Sequence, residues 1–270
     1  MRRGIRKYHG SLIHLSQDRF GIIEIVEDNL TRSLHFGNAV RQSAMELSRP
    51  EHLVLTYTRA MMGGLLFQSS PHNVLLIGLG GGSLAKFLLR YFPNCTIDAV
   101  EHREQVVKLA HGYFLLPEDP RLRIHIEDGG AFVQREGAAS SGRYDLILVD
   151  AFNSAGMDDD MGQSPFFDAC RALLTPEGIL VTNLWGSDRP RYTHVRRRLR
   201  HCFDANPLLL PAEGTTNVIA MALRRPGYKK LLKTVDRRAK PLEVQTGLEF
   251  VRLAHALRRQ NGSLMDLLFS

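Results

Sequence analysis

Apolar and polar positions along this chain change their period several times, and each change predicts a different element. From His9 to about Asn38 the apolar residues come in short, strand-like runs. Leu12-Ile13-His14-Leu15 precedes the turn Asp18-Arg19-Phe20-Gly21. Ile22-Ile23-Glu24-Ile25-Val26 follows, and a second turn near Glu27-Asp28-Asn29 leads to Ser33-Leu34-His35-Phe36. Runs punctuated in this way predict an antiparallel meander of three or four strands. Over residues 53–67 the spacing becomes helical, and Ser69-Ser70-Pro71 closes that stretch.

Strand and helix signals then alternate to about Leu223. Residues 74–77 are apolar and break into Gly78-Leu79-Gly80-Gly81-Gly82-Ser83, after which residues 84–90 read as a helix. Residues 96–100, 122–126, 144–150 and 178–183 predict further strands. The run from Tyr144 to Asp150 is nearly all apolar, as expected for a parallel strand covered on both faces. Val195, Leu199 and Cys202 recur at helical spacing among Arg189, Arg191, Arg196, Arg197, Arg198 and Arg200, which predicts an amphipathic helix with a basic face. A helical pattern resumes over 248–257, with Phe250, Val251, Ala254 and Leu257 on one side. The fold class is therefore α/β: a doubly wound, mostly parallel sheet, preceded by a small antiparallel β-domain and followed by a helical tail. The expected boundaries are 1–68, 69–225 and 226–270. The basic tail reads as helical packing or as a subunit contact.

The glycine run carries the first chemistry. A buried strand that turns through glycine into a helix makes a nucleotide-binding corner, because glycine lets a ligand approach the main chain. The amides at the start of the helix face that ligand. Gly78, Gly80 and Ser83 hold the glycine places of a GxGxxG fingerprint, the last as serine. Alone, such a run also marks a tight turn. Glu101, however, ends the next strand about twenty residues on, where a carboxylate accepts hydrogen bonds from ribose hydroxyls. Gly80, Glu101, Asp128 and Asp150 all fall at carboxyl ends of predicted strands, the edge at which such sheets bind ligands.

Composition narrows the picture. The chain has 270 residues, 44% of them hydrophobic, enough for one large domain or one domain with an appendage. No apolar run approaches the roughly 20 residues that span a bilayer, so no membrane role is expected. The 3 cysteines, Cys95, Cys170 and Cys202, are scattered, which points to a reduced, cytoplasmic setting. The 11 histidines show no metal-ligand spacing, so no metal is expected. A net charge of +7 raises an anionic partner, but no aromatic interleaving or RNA-binding signature accompanies it; nucleic acid is not the expected partner.

With these residues in view, the chain resembles the spermidine synthase family of polyamine aminopropyltransferases. The likeness runs over about 34–183 and rests on the glycine corner, Asp128-Gly129, the run Tyr144-Asp145 to Asp150, and Leu34-His35-Phe36-Gly37-Asn38-Ala39-Val40-Arg41-Gln42. The resemblance implies a methyltransferase-like sheet domain with a small N-terminal β-domain, decarboxylated S-adenosylmethionine as co-substrate, an amine acceptor and a homodimer. Carried over by position, Glu101 would hold the ribose hydroxyls and Asp128 the adenine amino group. Gly78, Gly80, Gly81, Gly82, Gly129 and Gln42 complete the implied co-substrate set. Tyr57, Asp150 and Asn153 are the catalytic candidates.

Departures from the family pattern fall at its acidic positions. The family's corner reads GGGDGG, and Gly81 stands where its aspartate contacts the aminopropyl amine. Its DSSDP is here Asp150-Ala151-Phe152-Asn153-Ser154, with Asn153 for the aspartate that deprotonates the attacking amine. Its YHE is here Tyr57-Thr58-Arg59. An alkylamine has a pKa of about 10 and arrives protonated, so it needs an acceptor for its proton. Asn153 carries no charge and can only orient it. Asp150 reads either as that acceptor or as a cap on amides at the strand end. Asp158, Asp159 and Asp160 form either an acidic gate that holds a cation or a solvated loop. Trp185 reads as a wall of the acceptor pocket or as a core or interface residue. Ordinary putrescine aminopropylation is therefore doubtful. An alkyl transferase using S-adenosylmethionine or its decarboxylated form is expected, moving an aminopropyl or a methyl group. The alternatives are a non-catalytic nucleoside or polyamine sensor and, on the glycine corner alone, a nicotinamide oxidoreductase.

Overall fold

The computed structural model describes residues 8–139, 142–153, 156–157, 163–225 and 231–262. Four strands, β1 (Ser11–Asp18), β2 (Gly21–Glu27), β3 (Thr31–His35) and β4 (Ser43–Glu46), make an antiparallel meander in sequential order. Three or four strands are expected from the sequence; the apolar runs mark β1, β2 and β3, and β4 is the fourth. β4 is just four residues long, too short to stand out as an apolar run, although Gly37-Asn38 marks a turn before it.

The meander is half-polar because one face is solvated. Its other face buries Ile23, Ile25, Leu34 and Met45 against Val106, Leu109 and Phe114 of α3 (Glu104–Phe114). Between the sheets lie α1 (Thr56–Met61) and a 3₁₀ turn (Met62–Leu66), which divide the predicted helical stretch. Gly63 and Gly64 explain the tightening. A Cβ on Gly64 would come within 2.6 Å of Val181, so this segment lies flat on the main sheet.

The main sheet contains β5 (Asn73–Ile77), β6 (Thr96–Glu101), β7 (Leu122–Ile126), β8 (Tyr144–Val149), β11 (Leu174–Trp185), β12 (Leu208–Pro211) and β13 (Asn217–Leu223). A two-residue pairing of β9 (Phe152–Asn153) with β10 (Gly156–Met157) leaves it after β8. The order is β12-β13-β11-β8-β5-β6-β7. Its pairings are parallel from β11 to β7, and β13 runs antiparallel to both β11 and β12. The chain adds β6 and β7 on one side of β5 and then β8 on the other, and at this reversal of strand order a crevice opens at the carboxyl ends of the strands.

Both faces of the sheet are covered, which explains the unbroken apolar runs. Val74 and Leu76 of β5 join the core beneath α2 (Ser83–Tyr91), while Leu75 and Ile77 join the opposite core with α4 (Gly129–Ala139) and α5 (Ser164–Leu173). On α6 (Arg189–Cys202), Val195, Leu199 and Cys202 are buried while Arg196, Arg197 and Arg200 face solvent. The helices Val235–Thr246 and Phe250–Asn261 pack into the first core through Leu242, Phe250, Ala254 and Leu257. Asn261 also closes the free edge of β12, exchanging two hydrogen bonds of 2.8 Å with the Leu209 backbone. The tail is thus packed against its own chain. No helix of the described residues is long and apolar enough to cross a membrane.

Candidate active site

A cavity of about 1620 Å³ lies along the carboxyl edge of the main sheet, roofed by the meander and α1. Its floor is the turn between β5 and α2. Gly78 has φ +90°, and a Cβ there would stand 2.3 Å from the Asp150 carbonyl oxygen. Only glycine lets the corner and the end of β8 approach this closely. Gly82 caps α2 in the left-handed region at φ +70°.

Gly78 and Gly80 line the cavity, but Gly81 and Gly82 do not. They sit behind the corner, where Cβ atoms would lie 2.8 Å from Phe114 and Ser43 and 2.7 Å from Leu116. Of the predicted co-substrate set, these two are corner-packing residues. Ser83, in the third glycine place, is buried with its hydroxyl 3.2 Å from that of Ser43, which docks β4 on the start of α2.

Glu101 is 7% exposed and lines the cavity. Its Oε2 accepts from the N–H groups of Leu79 (3.2 Å) and Gly80 (3.4 Å), and its Oε1 from that of Arg103 (3.0 Å). The carboxylate thus holds the glycine corner in shape as well as facing the cavity. Asp128 and Gly129 also line it, and Asp128 Oδ1 accepts from the Ala131 N–H at 2.7 Å, capping α4. Gln42 lines the roof, and its carbonyl accepts from the Tyr57 hydroxyl at 3.2 Å.

The two ends of the cavity differ. Beyond Glu101 its wall is the turn after β1, where Phe20 meets His102 edge-on with ring centroids 4.4 Å apart. At the other end Asp150 and Tyr57 face each other beside Asn183, Trp185 and the loop before β13. Enclosure raises the Asp150 carboxyl to about 6, although the Asn183 amide and the Tyr57 hydroxyl, shared with the Gln42 carbonyl, pull it down. Burial, followed by the Asp150 charge, pushes the Tyr57 phenol well above its ordinary range, so it remains a neutral donor. A carboxylate titrating near neutrality in a cleft suits general-base work. Trp185 walls this end, in keeping with one of its two sequence readings.

Arg59 does not bring its charge into the cavity. Its guanidinium donates to the Leu53 carbonyl at 2.7 Å and pairs with Glu249 at 3.3 Å, tying α1 to the last helix. The Asn153 side chain and Asp158, Asp159 and Asp160 lie outside what the structure describes. Sequence reasoning missed Asn183 and Asn217 as site residues. Asn183 was visible at the end of the fifth strand, but Asn217 opens a strand the pattern did not mark.

Comparison with known proteins agrees with this architecture. The spermine/spermidine synthase domain matches residues 55–198. A polyamine aminopropyltransferase of Chromobacterium violaceum is 38% identical over 240 residues, covering 88% of this chain and 90% of that protein. A crystal structure of spermidine synthase in complex with the transition-state analogue AdoDATO superposes with a TM-score of 0.74 at 18% identity, over 93% of this chain and 88% of that one. Human methyltransferase-like protein 13, in complex with SAH, superposes with a TM-score of 0.63 at 26% identity, over 70% and 92%. This chain belongs to the spermine/spermidine synthase family and is a transferase of it.

Proposed function

We propose that this chain moves the aminopropyl group of decarboxylated S-adenosylmethionine onto an amine acceptor. The observation that carries the reading is Asp150, enclosed with Tyr57 at one end of the cavity and held near a pKa of 6 by its surroundings. The name of the 38% identical relative favours aminopropyl transfer. In this reading Glu101 and Asp128 receive the ribose and the adenine, and the glycine corner lets the nucleoside lie against the backbone.

The acceptor reaches Asp150 as an ammonium ion. Its proton passes to the carboxylate, and the freed nitrogen lone pair attacks the methylene carbon bonded to the sulfonium. The carbon–sulfur bond breaks, its electron pair stays on sulfur, and methylthioadenosine departs as a neutral thioether. The protein's share is positioning, charge and exclusion of water. Asp150 supplies a proton acceptor of its own whatever Asn153 contributes.

A second reading, methyl transfer from S-adenosylmethionine, is favoured by Gly81, since no carboxylate there meets an aminopropyl amine, and by the likeness to the human methyltransferase-like protein. Calorimetry with the two co-substrates side by side separates the readings. Tighter binding of the decarboxylated form is expected. Tighter binding of the carboxylated form would favour methyl transfer, and binding of neither would overturn both.

A further inference from the structure

Asp150 is met from one side by a line of amides that runs outward across the sheet. Asn183, on β11, is 1% exposed and donates from Nδ2 to Asp150 Oδ1 at 3.0 Å. Asn217, the first residue of β13, donates from Nδ2 to Asn183 Oδ1 at 2.9 Å. The register explains how three strands align these groups. Thr182 pairs with Val149, so Asn183 comes beside Asp150 at the end of the parallel ladder. Asn183 pairs with Ile219 and Trp185 with Asn217, which makes Asn183 and Asn217 diagonal neighbours on one face.

The line has a direction. An ionised carboxylate only accepts hydrogen bonds. Asp150 therefore fixes the Asn183 amide with its NH₂ inward and its oxygen outward, and that oxygen requires a donor, which Asn217 supplies. Neither amide can flip without breaking a bond in a partly dry site, where an unpaired polar group is costly.

We propose that Asn217 and Asn183 are positioning residues that hold the Asp150 carboxylate in one orientation and ionised towards the acceptor amine. This rests on the reading of Asp150 as the group that takes the amine proton. Among the described residues, the titratable side chain facing Asp150 is Tyr57, from α1; the turn after β5 presents the Gly78 backbone and β11 the neutral Asn183. Tyr57 stays protonated across the working range, so a change in Asp150 titration reports on the amides.

The test is the carboxyl carbon signal of Asp150, followed by NMR against pH in wild type, Asn217→Leu, Asn217→Gln and Asn183→Leu. Asn217→Leu should move the midpoint up by about half a unit to one unit, and Asn183→Leu further, because each removes support for the charged form. Asn217→Gln keeps a donor and should restore most of the wild-type value. With an amine acceptor, the acid limb of kcat should move by the same amount in each variant, while KM for the adenosyl co-substrate stays constant. A wild-type midpoint in a folded Asn217→Leu protein would overturn the relay. A moved midpoint with an unmoved acid limb would retain the relay and remove Asp150 from the chemistry, overturning the functional reading instead.

Discussion

The Arg103 guanidinium grips the Asp18 carboxylate with two hydrogen bonds, of 3.0 Å from Nε and 2.8 Å from a terminal nitrogen. Arg103 is 4% exposed, follows Glu101 by two residues, and also stacks over Phe36. Asp18 ends β1, so the pair fastens the first hairpin of the meander to the end of β6, which carries Glu101. Replacing Arg103 by alanine leaves Asp18 and the Gly21 carbonyl without their buried donor. Discounted for the partial exposure of Asp18, a loss of about 2 kcal/mol in unfolding free energy is expected. Denaturant unfolding measures it, and nucleoside binding should weaken with it. Full stability in Arg103→Ala would reduce the pair to a surface contact.

Acid should loosen the same pair. Burial raises the Asp18 carboxyl, but hydrogen bonds from Arg103 and the Phe20 N–H, with the Arg103 charge, outweigh it and bring the net value below the ordinary range. A carboxylate depressed in the folded state stabilises fully above its unfolded pKa of about 3.9 and loses that contribution as pH falls through the folded value. Asp18→Asn should therefore flatten the stability profile below about pH 4 and leave its shape unchanged above about pH 6. An unaltered acid slope would contradict this.

Restoring the family's aspartate at Gly81 should not restore its contact. A Cβ at this position lies 2.8 Å from both Phe114 and Ser43, so the space for a side chain is already filled. Gly81→Asp should cost about 1–3 kcal/mol through overpacking and give no gain with an amine acceptor. Thermal unfolding beside an activity assay reads both. A stable and more active Gly81→Asp protein would mean that the Phe114 ring gives way.

Asp150 should be a destabilising residue retained for what it does. Its folded pKa of about 6 lies above the unfolded value of about 3.9, so the fold favours the protonated form. The cost of ionising it is absent below about pH 4, grows towards pH 6 and is complete above. Asp150→Asn should gain on the order of 1 kcal/mol at pH 8 and nothing at pH 4, while turnover collapses. Equal stability at both pH values would show that Asp150 titrates normally.

Glu101→Gln replaces an acceptor-only group by an amide in a site that presents the N–H groups of Leu79, Gly80 and Arg103. At least one of these loses its acceptor, at about 1–2 kcal/mol. The distorted corner should also weaken nucleoside binding, as titration calorimetry would show. Retained affinity would exclude Glu101 from both tasks.

The sequence made the main sheet and the glycine-corner end of the cavity legible because buried parallel strands leave long apolar runs, and because glycine and carboxylate positions relative to strand ends follow from topology. Gly78, Gly80, Glu101, Asp128 and Asp150 meet in one cavity for that reason. The Asp150 end is less legible. Asn217 acts across a diagonal pair in an antiparallel ladder, and such a pairing leaves no local signature. For Arg59 and Gly81 the sequence offers position alone. The direction of the Arg59 side chain and the Phe114 ring behind Gly81 depend on packing from segments distant in sequence.

The most direct measurement is product analysis with decarboxylated S-adenosylmethionine and a panel of diamines, comparing wild type with Asp150→Asn. Methylthioadenosine should accumulate in step with an aminopropylated amine in wild type and be lost in the variant, while both proteins bind the nucleoside. No amine-dependent methylthioadenosine, or equal amounts from Asp150→Asn, would contradict aminopropyl transfer at this site.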